Sequence, residues 1–63
     1  MAHAAVVART SPQGMEYLVR DIGRAEWAIT AQNAARFQNL REATRAALRL
    51  PSALRAFALP AES

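Results

Sequence analysis

Between Met15 and Leu50 the apolar residues change their spacing from every second position to about every 3.6, and the change falls at Thr30. Alternation suits a strand with one buried face, and the longer period suits a helix with one buried stripe. The chain therefore reads as sheet first and helix second, which points to an α+β domain and away from an all-β fold.

Turn chemistry and alternation set out the sheet. Residues 3 to 9, from His3 to Arg9, hold a short run with Val6 and Val7, and Ser11-Pro12-Gln13-Gly14 follows Thr10. Pro in the second place of a four-residue turn and Gly in the last are favourable, so Ser11 to Gly14 joins a first strand to a second. Glu16 to Asp21 alternates, and after a break at Gly23 so does Glu26 to Thr30. A three-stranded antiparallel meander over residues 3–30 is expected. Setting Arg20 against Glu26, Val19 against Trp27 and Tyr17 against Ile29 satisfies both faces of the second hairpin. Met15, Tyr17, Val19, Trp27 and Ile29 then point inward. Glu16, Arg20, Glu26 and Thr30 face water, with Leu18 and Ala28 among them.

Residues 31–50 are rich in Ala, Arg, Gln and Leu, good helix formers. Asn39 followed three residues later by Glu42 has the form of a helix N-cap and its reciprocal partner, so the main helix is expected to start at Leu40. A short helical turn over Ala31 to Arg36 precedes it; an unbroken helix from Ala31 is the alternative. Phe37, Leu40, Thr44, Ala47 and Leu48 share a side at helical spacing and are expected to cover Trp27 and Tyr17. Pro51 disfavours helical backbone at Leu50, which ends the helix near Arg49. In residues 51–60, Ser52 suits the cap of a short C-terminal helix, Ala53 to Ala58, in which Leu54, Phe57 and Ala58 share a side; a fourth strand through Leu54 to Leu59 is the alternative. Residues 61–63 read as a tail.

With 63 residues the chain forms one small domain, which hides only about 60% of its unfolded surface. Apolar types make up 52% of the composition, but 16 residues are Ala, so large core side chains are few. Marginal stability makes a homodimer, or another protein partner that covers apolar surface, a reasonable expectation. There is no Cys, hence neither a disulfide framework nor thiolate metal ligation. Residues 1 to 11 are too short and too weakly apolar for a signal segment or a membrane span, so a soluble, unprocessed, cytoplasmic protein is expected.

All eight basic residues are Arg, with a formal charge of +3 and a pI near 11.2. That balance is compatible with a polyanion partner, but the bias itself is read as the GC-rich codons shared by Arg and Ala, which point to a high-GC bacterium, its phage or its plasmid. Arg41, Arg45 and Arg49 recur every fourth residue and so stack along one side of the helix. They form either a solvated face, relieved by Glu42, or an anion-binding face. Arg20 and Arg24, with Arg9 beside them, are candidate phosphate contacts on the hairpin, opposed there by Glu16, Asp21 and Glu26. Leu54, Phe57 and Leu59 either close the core or form a protein interface. No catalytic group is expected: His3 is the single imidazole, and Ser11, Ser52 and Ser63 fall in turn, cap and tail positions. No cofactor or metal site is expected either.

The joint Phe37-Gln38-Asn39-Leu40-Arg41-Glu42-Ala43, after a three-stranded meander, resembles the strand-to-helix joint of small sheet-plus-helix domains. These include small uncharacterised proteins of bacteria and phages. They also include the DNA-binding domains at the amino end of tyrosine-family phage integrases and in plant ethylene-response factors. In the integrase-like group the sheet enters the major groove, which implies Arg20 and Arg24 as contacts here. Glu16 and Glu26 on that face, the added stretch Ala31 to Arg36 and the lack of Lys depart from that pattern. The expected function is non-enzymatic: a small accessory or regulatory protein that binds another protein. Nucleic-acid binding through the helix Arg stripe is the alternative.

Overall fold

The computed structural model describes residues 4–20 and 24–61, and the expectations for His3, Asp21, Gly23 and Ser63 lie outside them. An antiparallel sheet carries one main helix. Its strands are β1 (Ala5–Ser11), β2 (Gly14–Arg20), β3 (Glu26–Ala28) and β4 (Phe57–Pro60), in the order β3-β2-β1-β4, and helix α1 spans Leu40–Arg49.

The sheet thus has four strands and not three. In place of the expected helix Ala53 to Ala58, a 3₁₀ turn at Ser52–Leu54 leads into β4, so the structure adopts the strand alternative. Two causes outweigh the helix preference of Ala and Arg. Arg55 takes the left-handed conformation, φ 53° and ψ 40°, through which a right-handed helix cannot continue. Beyond it, β1 has a free edge to fill: Ala5 to Ala8 are all buried, and β4 pairs along them as Val6↔Leu59, Val7↔Ala58 and Ala8↔Phe57. Ser52 does not act as a cap; Pro51 holds that position and no side chain bonds there.

The first hairpin follows its turn residues. Ser11 pairs with Gly14, the Ser11 hydroxyl donates to the Gly14 carbonyl at 2.9 Å, and the Gln13 N–H donates to the Ser11 Oγ at 3.3 Å. Gly14 sits at φ +124°, where an L side chain is strained even though a Cβ there would meet nothing within 4 Å.

The second hairpin keeps Arg20↔Glu26 but then shifts, pairing Leu18 with Trp27 and Tyr17 with Ala28. The irregularity lies between Leu18 and Arg20, so Val19 is an extra residue on β2. A one-residue slip moves side chains to the opposite face. Leu18, expected in water, is therefore 1% exposed, whereas Ile29, expected inside, is 76% exposed beyond the end of β3.

Helix α1 starts where its cap places it: the Asn39 Oδ1 accepts the Glu42 N–H at 2.9 Å. It stops before Pro51, with Leu50 extended. The preceding turn is a 3₁₀ helix at Ala31–Asn33 only. The buried stripe of α1 differs from the expected one. Ala43, Ala46 and Ala47 pack against Ala5, Val7 and Leu18, with Phe37, Leu50 and Ala58 partly buried beside them. Leu40 and Leu48 are 48% and 79% exposed, and the Thr44 hydroxyl bonds back to the Leu40 carbonyl. Small side chains at the contact allow close approach of the helix, which lies over β1 and β4.

The β1–β2 ladder runs as far as Ala8↔Tyr17, and beyond it the segment 35–37 serves both strand ends. The Ala35 N–H donates to the Leu18 carbonyl at 2.8 Å, and Ala5 and Phe37 exchange both backbone bonds at 3.0 and 2.8 Å. This segment fixes what lies at the far end of the sheet.

Candidate functional site

The two sheet faces follow from alternation. Ala5 and Val7 join the core under α1, so Val6 and Ala8 turn away from the helix, and their cross-strand partners turn with them. Tyr17 and Phe57 both oppose Ala8, and Leu59 opposes Val6. Ala8 is wholly buried although it faces away from α1, with a ring from each neighbouring strand beside it. Phe57 remains 37% exposed, and Tyr17, Leu59 and Met15 are half-buried. Alternation in a sheet open on one side ordinarily sets polar residues there; here Thr10, Arg20 and Glu26 lie toward one end of the face and the row across Ala8 is apolar.

Of the expected interface residues, Phe57 and Leu59 are brought together here. Leu54 is half-buried in the 3₁₀ turn and is not part of the row. Tyr17 completes the row and is the residue that the expected register misplaced. The pattern large-small-large in Phe57-Ala58-Leu59 is the sequence signal for this face.

At the end of the same face lies a hollow of about 250 Å³ lined by Val6, Tyr17, Ala31, Arg36, Leu59, Pro60 and Ala61. Arg36 belongs to it by the same alternation: Phe37 is in the helix-side core opposite Ala5, so the preceding side chain points to the other face.

The candidate cations do not form one surface. Arg41, Arg45 and Arg49 lie on the exposed side of α1, above β1 and β4. Arg45 meets Glu42 at 3.7 Å, an exposed i,i+3 pair worth only about 0.3–0.5 kcal/mol, and Arg49 is engaged as well. Arg20 and Arg24 are exposed at the β2–β3 end of the sheet, away from α1. Arg9, expected beside them, is occupied. Its Nε and Nη2 reach the Glu16 Oε1 at 2.8 and 2.7 Å, and its guanidinium lies 4.4 Å from the centre of the half-buried Trp27 ring. Trp27 thus packs against the core and holds a cation at the same time.

Among the described residues no three His, Cys, Asp or Glu side chains come together, and no helix is long and apolar enough to cross a membrane. No protein-family model matches the chain, and it matches no curated protein and no solved structure.

Proposed function

We propose that this chain is a non-enzymatic binding protein that contacts another protein through the sheet face turned away from α1. The observation that carries this reading is the row Tyr17–Ala8–Phe57 with Leu59 beside it, apolar and partly exposed on the face turned away from α1. The edges of the sheet are poor alternatives for docking. The Ala61 N–H donates to the Ala4 carbonyl, so by alternation Leu59 and Phe57 face β1 while Pro60 and Ala58 face outward, and Pro has no N–H to offer a new strand. The opposite edge, β3, is three residues long. A second copy of the chain and a different protein are both occupants consistent with this face.

A photo-crosslinking phenylalanine analogue at position 57, in the native host, tests the reading. Protein adducts formed from position 57 and lost from position 48, where Leu48 is the more exposed of the two, are expected. Adducts from position 48 alone would sink it.

Nucleic-acid binding is the second reading, favoured by the exposed spacing of Arg41, Arg45 and Arg49. Three phosphate contacts would give a log-log salt slope near about −2.7, whereas an apolar docking face is nearly flat in salt. Arg45→Glu should abolish polyanion binding if the stripe carries it, and unchanged binding removes that reading.

A further inference from the structure

We infer that the hollow beside Arg36 is a ligand site for a small apolar carboxylate. The inference goes beyond the docking face and does not depend on what covers Phe57.

The site has two unlike parts. Val6, Leu59, Pro60, Ala61 and Ala31 give it an apolar wall, and Arg36 is the one ionisable side chain of fixed charge among its lining residues. Arg36 is exposed and, among the described residues, has no acidic partner. Tyr17 supplies a phenol hydroxyl that likewise makes no hydrogen bond among the described residues. An inorganic anion would satisfy the guanidinium and leave the apolar wall wet. A plain hydrocarbon would fill the wall and leave the fork of donors to water. A carboxylate on an apolar group meets both, because guanidinium and carboxylate match as a planar, charge-assisted pair.

Volume sets the size of the ligand. About 250 Å³ exceeds the roughly 150 Å³ of a cavity that takes benzene and falls below the roughly 300 Å³ at which drug-sized ligand sites begin. A branched aliphatic or single-ring acid fits that interval. Such a group exists as a free acid and as the C-terminal residue of a polypeptide, and the chemistry recognised is the same.

The segment that brings Arg36 to the hollow is held by backbone hydrogen bonds. Ala35 and Phe37 tie their segment to β2 and β1 by three backbone hydrogen bonds, which fixes where Arg36 leaves the chain.

The test is an amide NMR titration of the labelled protein with 4-methylpentanoate, 4-methylpentanamide and N-acetyl-leucine, repeated on Arg36→Gln. The two acids should shift the amides of Val6, Tyr17, Arg36, Leu59 and Ala61 saturably. The neutral amide should bind roughly tenfold more weakly, as the loss of one charge-assisted pair implies. In Arg36→Gln, which alters an exposed side chain and spares the fold, the acids should fall to the level of the amide. Tighter binding of N-acetyl-leucine than of 4-methylpentanoate supports the site and assigns it to a chain terminus; the reverse supports it and assigns it to a free acid. Equal binding of acid and amide, binding unchanged in Arg36→Gln, or the absence of any saturable shift would each overturn the inference. Crosslinking from position 57 in that event would leave the docking reading standing.

Discussion

The two faces of one sheet are built by opposite rules. Under α1 the contact is made from small residues, Ala5, Val7, Ala43, Ala46 and Ala47, with Leu18 the largest side chain fully buried. On the other face the large residues Tyr17, Phe57 and Leu59 flank small ones and remain partly exposed. In this chain a residue's size is a poor guide to its burial. The covered face gains stability from close approach, while the open face keeps its large side chains where another molecule can reach them.

The strongest way to break this comparison is Leu18→Ala. Emptying the largest buried site should cost about 2–5 kcal/mol, a large fraction of a small domain's stability, and chemical denaturation should find the variant mostly unfolded. A stable variant would mean that the core lies elsewhere. Next is Ala46→Leu, which adds volume where helix and sheet meet and should cost about 1–3 kcal/mol; a neutral result would show that the layers can part without penalty. Phe57→Ser on the open face should cost less, about 1–2 kcal/mol, because over a third of that residue is already in water, and should remove the proposed protein contact while the fold survives. The smallest effect is expected from Arg55→Gly. Relief of the left-handed backbone should raise stability by at most about 1 kcal/mol, offset in part by the greater freedom of Gly in the unfolded chain. A loss of stability there would show that the Arg55 side chain holds β4 in place.

What could be read from the sequence was local. The Ser11–Gly14 turn, the Asn39 cap, the end of α1 before Pro51 and the Arg20–Glu26 pair each follow from a few neighbouring residues, and each is present. The inward faces were not legible. Ala contributes little to an apolar periodicity and much to helix preference, so the stripe Ala43, Ala46, Ala47 was masked by the larger Leu40 and Leu48. The extra residue Val19 leaves no mark in the alternation of β2 yet reverses the face of everything before it. Strand β4 was legible only as an alternative: Phe57-Ala58-Leu59 alternates, but the free edge of β1 that decides for the strand lies far away in the chain. At the candidate site, Phe57 and Leu59 were legible as apolar residues. Tyr17 and Arg36 join them only through the shifted register and the docked segment 35–37.

Strand β1 pairs with β2 across a tight turn, but its other neighbours, Phe37 and β4, come from distant parts of the chain. Contacts of such long sequence separation form late, after the entropy of closing large loops has been overcome, and they slow folding relative to helical domains of the same size. On the ribosome, Ala5 to Ala8 are made before Phe57 to Pro60, the strand that covers their edge. The most buried strand of the finished molecule therefore waits for its second sheet neighbour until β4 has been made.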